Sequence, residues 1–193
     1  MYDKSIYDAE WFAGLAWQHP IIERLLGCLV GATGRFASVL DLGAGDGWWA
    51  HVMHEMGSEA IAVEVSEIAA EVMPDDVQIV IHDLREPLDL EREFELILCI
   101  EVAEHLPASA ADTLCDTIAR HCGRCLLFTA AVPGQGGHGH INCQPCEYWI
   151  AKLQQRGLVH SPEWSNYITQ AWRNILGSAM PWLSYIMIFW RAA

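Results

Sequence analysis

Apolar positions change their spacing several times along the chain, and each change marks an element. Over residues 5–30 they recur at helical intervals, with Trp11, Leu15, Ile21, Ile22, Leu25 and Leu26 able to form stripes. Pro20 falls inside that stretch and should divide it into two helices. Residues 38–42 form a short apolar run that ends in a glycine loop, and the helical spacing from 48 to 56 stops at Gly57. Residues 60–65, 77–81, 94–100 and 126–131 read as strands, and residues 66–72, 108–120 and 145–156 as helices. Residues 158–160 and 182–190 would make a terminal strand pair. Strands that alternate with helices of this length imply parallel strands joined by right-handed crossovers. The fold class is therefore α/β, an open, doubly wound sheet with helices on both faces. Ligands of such sheets lie over the carboxyl ends of the strands, so motifs just after a strand carry most weight.

Length and composition narrow the class. The 193 residues suit one domain with some extra chain, and 52% hydrophobic against 19% charged residues supplies a sizeable core. The longest apolar stretch, residues 179–190, is interrupted by Pro181 and Ser184 and falls short of the ~20 residues that span a bilayer. Asp3, Asp8 and Glu10 occupy the first ten residues, which do not read as a secretory signal. Seven cysteines, an odd number, read as reduced thiols, so a cytoplasmic location without membrane association is expected. The net charge is −14, with 14 acidic and 2 basic side chains between residues 61 and 112. No Lys/Arg cluster is present to neutralise several phosphates, so no nucleic-acid partner is expected. The more basic segment 113–193, with His121, His138, His140 and His160, leaves room for a small polar substrate.

The first strand runs through Asp41 into Gly43-Ala44-Gly45-Asp46-Gly47 and a helix. Such a loop lets a ligand approach main-chain N–H groups. A dinucleotide fingerprint would place its third glycine at position 48, which is Trp48, and a pyrophosphate suits neither Asp41 nor Asp46. That, with the lack of a Tyr-x-x-x-Lys pair, disfavours an NAD-dependent oxidoreductase. A ligand bearing an ammonium and a sulfonium centre suits both acids. The second strand ends at Glu64, where a carboxylate can accept from ribose hydroxyls, and the third leads to Asp83, which can accept from an exocyclic amine. Helix caps or solvated loop acids explain each of the three singly, but less well all three in register.

The ordered runs VLDLGAGDGWWA, IAVEVS, IHDLREPL and FELILCIEVAEHLP closely resemble the four successive motifs of the class I S-adenosylmethionine-dependent methyltransferases, small single-domain type, over roughly residues 35–130. The resemblance implies a Rossmann-like, seven-stranded, mostly parallel sheet ending in an antiparallel hairpin, with S-adenosylmethionine as cofactor. By position, Asp41, Gly43, Ala44 and Gly45 would hold the methionine moiety and Glu64 the ribose. Val65 would pack on the adenine, Asp83 and the Leu84 N–H would read its amine, and Ile100 would lie beside the cofactor. Residues 35–193 would form the methyltransferase domain. Residues 1–34 would be an N-terminal helical segment, in which Tyr7, Trp11 and Trp17 are candidates for a lid.

After the fifth strand, four glycines fall within residues 134–139, followed by His140, Ile141 and Asn142, and this reads as a substrate loop. Methyl transfer is an in-line displacement at an activated carbon, so positioning supplies much of the rate and a base is needed only if the nucleophile keeps its proton. His140 is the leading candidate for that base or for positioning; His105, in a Glu-His pair similar to one recurrent in the family, is the second. Either side chain can instead serve structure alone. The acceptor would be a small molecule, and a homodimer is possible through Trp172, Trp182 and Trp190, which otherwise suit sheet packing. A non-catalytic or zinc-stabilised adaptor domain is the alternative. Cys122/Cys125 and Cys143/Cys146 are C-x2-C pairs at zinc-ribbon spacing, but the strand between them spans ~20 Å whereas each sulfur must lie ~2.3 Å from the metal. No metal is assigned. A local set of His138, His140, Cys143 and Cys146 escapes that objection and stays open.

Overall fold

The computed structural model describes residues 8–176 and 185–192. In chain order the elements are α1 (Ala9–Ala13), α2 (His19–Thr33), β1 (Ser38–Leu42), α3 (Trp48–Glu55), β2 (Glu59–Glu64), α4 (Ala69–Val72), β3 (Gln78–Ile81) and β4 (Phe94–Ile100). Then follow α5 (Ala111–His121), β5 (Cys122–Thr129), α6 (Cys146–Gln154), β6 (Leu158–His160), α7 (Pro162–Leu176) and β7 (Met187–Arg191). One 7-stranded sheet has the order β3-β2-β1-β4-β5-β7-β6. β1 to β5 pair in parallel, and β7 runs antiparallel to both of its neighbours. The chain order reverses across β1 and β4, so the crevice of such a sheet opens above the carboxyl ends of those two strands.

The strands read as nearly unbroken apolar runs because both faces are covered. Along β4, Leu96 and Leu98 face a core shared with Leu25, Leu26 and Leu29 of α2, Val52 and Met53 of α3, and Ile168 and Trp172 of α7. Ile97 and Cys99 face the opposite core, with Leu114, Cys115 and Ile118 of α5 and Trp149 and Leu153 of α6. This period of two is why a single strand anchors helices above and below. At ~25 cal/mol per Å², each fully buried Leu or Ile contributes about 2 kcal/mol toward holding that architecture.

Three departures from the sequence reading have local causes. Pro20 does not break a helix; it sits in the first turn of α2, where its missing N–H is no loss, and the interruption lies at residues 14–18. β5 begins at Cys122 rather than at residue 126, so both Cys122 and Cys125 are buried strand residues. The C-terminal antiparallel pair is present, with Val159 opposite Trp190, but α7 lies between its strands in the chain. α7 carries signals the reading passed over: Ser161 accepts from the Trp164 N–H at 3.3 Å, Pro162 opens the helix, and Trp164, Ile168 and Trp172 recur at four-residue intervals. Trp172 is fully buried and donates its indole N–H to the Leu25 carbonyl at 3.0 Å. Tyr7 and Trp182 lie outside the described residues. Among the described residues, no helix is long and apolar enough to cross a membrane.

Candidate active site

Two adjoining hollows, of about 560 Å³ and about 810 Å³, open above the ends of β1, β2 and β4 and share Trp11, Gly43, Gly45, Glu101 and His105 as walls. The floor of the second is Asp41, 3% exposed at the end of β1. The Ala50 N–H in the first turn of α3 donates to its carboxyl, while Oδ2 is buried with no hydrogen-bond partner. Burial, and then the neighbouring Asp46 and Glu64, push this acid up to about 8. The loop above it is held because Gly43 and Ala44 donate to the Val63 carbonyl at 2.8 and 3.0 Å. Gly43 has φ +74° and lies so near Val102 that a Cβ would meet it at 2.5 Å. A side chain there would separate the loop from the turn after β4.

Glu64, at the end of β2, is 8% exposed. Its Oε2 accepts from the Gly45 N–H at 3.0 Å, and Oε1 accepts from Val65 and Ser66 at 2.7 and 3.1 Å. Burial raises its pKa against those three bonds. A carboxylate has about four lone-pair positions, so Oε2 keeps one for a further donor. Val65, His82 and Leu84 line the first hollow. Asp83 does not: its carboxylate is held by the Arg85 guanidinium, with Nε at 2.9 Å from both oxygens, and that cation keeps its pKa below the usual range.

The chain leaves β4 through Glu101, a non-glycine residue at φ 55°. Its N–H donates to Thr129 Oγ1 at 3.0 Å, and its carboxyl faces Glu104, Thr129 and Gln135. Glu104 is fully buried; its Oε1 accepts from the Ala131 N–H at 3.1 Å, and Oε2 has no hydrogen-bond partner. Burial, reinforced by Glu101, raises the Glu104 pKa well above the carboxylate range. The glycine-rich loop closes over this turn because Ile141 and Asn142 both donate to the Glu104 carbonyl, at 2.9 and 3.0 Å. That places His140 Nε2 at 4.0 Å from Glu104 Oε1 and its ring edge-on to His105, with centroids 4.9 Å apart. Burial pushes His105 down to about 4, and it lowers His140 as well, so both rings are neutral at pH 7.

A model of the methyltransferase domain family matches residues 15–174. The chain belongs to the methyltransferase domain family. No curated protein matches it in sequence. The fold is shared with a TehB-like SAM-dependent methyltransferase from Corynebacterium glutamicum, at 17% identity and TM-score 0.64, covering 95% of each chain. It is also shared with a sugar N-methyltransferase from a Streptoalloteichus species, at 15% identity and TM-score 0.66, over 91% of this chain and 87% of that one. Magnesium protoporphyrin IX methyltransferase from Synechocystis, solved with bound SAM, is similar at 14% identity and TM-score 0.61, over 93% and 81% of the two chains.

Within this methyltransferase domain, the structure gathers Asp41, Gly43, Ala44, Gly45, Glu64, Val65, Leu84 and Ile100 around the two hollows, and leaves Asp83 beside them, tied to Arg85. Of the two histidines, His105 forms a wall of both hollows, whereas His140 packs behind it against Glu104. Trp11 reaches the cleft, while Trp17 is 59% exposed. Glu101 was not singled out from sequence, and Glu104 only as the partner of His105. An ExxEH run directly after an apolar strand puts both acids and His105 on one tight turn, and that spacing was the available signal. Cys122 and Cys125 take no part: burial drives the Cys122 thiol up to about 12 and the Cys125 thiol higher.

Proposed function

We propose that this domain transfers a methyl group from S-adenosylmethionine to a small-molecule acceptor. The observation that carries the reading is Asp41, a buried carboxyl at the floor of the cleft whose Oδ2 has no hydrogen-bond partner. An uncompensated buried acid is unfavourable in the free protein, and a cationic ligand that donates to it removes the deficit. The donor set fits the cofactor: Asp41 for the ammonium group, Glu64 for a ribose hydroxyl through its spare position, and Val65 and Leu84 for the adenine. The acids at the strand ends also attract a cation into the cleft.

When bound, the cofactor supplies a methyl carbon attached to a sulfonium leaving group. Everything else is positioning by the chain. Asp41 and the glycine loop fix one end of the ligand and Glu64 the middle, while Ile100, Glu101 and His105 form the wall left for the acceptor. His105, neutral at pH 7, can accept a hydrogen bond from an acceptor's O–H or N–H, and His140 braces the turn behind it. The described part of the N-terminal segment, residues 8–34, contributes Trp11 to the cleft and acts as its cover. Isothermal titration with S-adenosylhomocysteine tests the reading: saturable one-to-one binding is expected, and absence of binding by the folded protein would overturn it. Labelled-methyl transfer to a metabolite panel then identifies the acceptor.

A further inference from the structure

The turn after β4 and the glycine-rich loop bring together three donors. One Glu104 oxygen and one nitrogen each from His105 and His140 lie within 4.8 Å of one another, the one such group among the described residues. Glu104 is fully buried, its Oε2 has no hydrogen-bond partner, and the basic side chain facing it is His140. A buried carboxylate normally meets a cation or several donors, because stripping its water costs several kcal/mol. The rings are also held in place. His105 faces the Gly139 carbonyl and His140 the Gln135 carbonyl, with His140 Nδ1 also 3.9 Å from Cys143 Sγ, the kind of support that orients metal-binding imidazoles. Gly137 fits under the His140 ring only because it has no side chain; a Cβ there would lie 2.2 Å from Cε1.

We propose that Glu104, His105 and His140 bind a divalent transition-metal ion on the acceptor side of the cleft. Two imidazoles and one carboxylate suit Zn²⁺, Fe²⁺, Co²⁺ or Mn²⁺ and leave coordination positions open. Donors at ~2.1 Å from an ion lie ~3.4 Å apart at the tetrahedral angle, so the 4.0 Å between His140 Nε2 and Glu104 Oε1 must close slightly. Because His105 is a wall of both hollows, the open positions face the cleft. The role of such an ion, holding an acceptor hydroxyl and lowering its pKa, rests on the function proposed above; the binding itself does not.

The test uses chelator-stripped full-length protein titrated with Co²⁺, followed by its visible d–d absorption and then by competition with Zn²⁺. One equivalent should bind. Glu104→Gln and His140→Ala should each weaken binding at least ~10-fold, and Cys143→Ser should bind as wild type. Melting curves and S-adenosylhomocysteine titrations on the same samples show which variants are folded. They also decide the proposed function separately from the metal. No Co²⁺ binding by wild type overturns the proposal. So does unchanged binding in folded His140→Ala, or a thiolate charge-transfer band that Cys143→Ser abolishes.

Discussion

Replacing Asp41 by Asn should stabilise the ligand-free protein while crippling its affinity for the cofactor. The acid has a folded-state pKa of about 8 against an ordinary 3.8, caused first by burial and then by Asp46 and Glu64. Its pKa is raised on folding, so the folded state keeps a proton that the unfolded chain loses as pH climbs past 3.8. Stability therefore falls across the window from about 4 to about 8 and is flat above it. Four pH units at 1.36 kcal/mol each set a ceiling of about 5 kcal/mol. Asparagine mimics the protonated form, keeps an oxygen for the Ala50 N–H and never ionises. At 2–4 °C per kcal/mol for a chain of this size, the Asn variant should melt up to roughly 10–20 °C higher at pH 8, with the gap shrinking steadily toward pH 5. Its amide is neutral and cannot form an ion pair with an ammonium, so S-adenosylhomocysteine affinity should fall about 10- to 100-fold. Wild type should also release most of one proton on binding at pH 7, visible as a buffer dependence of the titration enthalpy, and the variant none. A melting difference that does not change with pH, or has the opposite sign, would refute the account of Asp41.

Glu64→Gln should lower affinity too, but with the reverse effect on melting. Its amide must face a backbone N–H that the carboxylate now accepts, so the melting temperature should drop by several degrees, at about 1–3 kcal/mol for an unsatisfied buried donor. An unaltered melting temperature would show that the three bonds do not hold the loop. Gly137→Ala drives a Cβ into the His140 ring, so turnover on an identified acceptor should fall at least ~10-fold, with S-adenosylhomocysteine affinity unchanged; equal turnover would remove His140 from the acceptor side. His19→Ala removes a 2.7 Å bond to Asp46 and a stack on Trp48 with centroids 3.9 Å apart. It should cost about 1–2 kcal/mol, read as a melting shift of a few degrees.

The sheet was legible because its strands are apolar runs punctuated by glycine, proline and acids, a pattern that local spacing alone determines. The reversal at β7 was not; it was inferred only by resemblance, because a strand's direction depends on its long-range partners. α7 is announced by Ser161, Pro162 and its apolar spacing, but the longer apolar run that follows it in the sequence carries the stronger local signal, that of a strand. Asp41 and Glu64 could be placed beside the cleft from sequence, since each falls within the last two residues of a strand, and a strand end has a fixed place in this architecture. Asp83 shows the limit of that logic. Arg85, two residues on, captures its carboxylate, a competition invisible in a register of strand ends. The arrangement of Glu101, Glu104 and His105 with His140 joins residues about 35 apart in the chain, through hydrogen bonds that no spacing rule encodes.

Glu101 explains why the two halves of the cleft meet where they do. A left-handed conformation at a glutamate costs about 1–2 kcal/mol, which glycine would avoid, yet a glycine there would remove a carboxyl from the wall of both hollows. The turn it forces sends Val102 against Gly43 on one side and sets His105 and Glu104 on the other. The Thr129 hydroxyl and carbonyl both accept from the Glu101 N–H, at 3.0 and 3.3 Å, and so tie the strained residue to the end of β5. The same few atoms thus fix the distance between the glycine loop and the glycine-rich loop. Strain concentrated at that one residue is the physical link between the carboxyls proposed to hold the cofactor and the imidazoles proposed for the acceptor side.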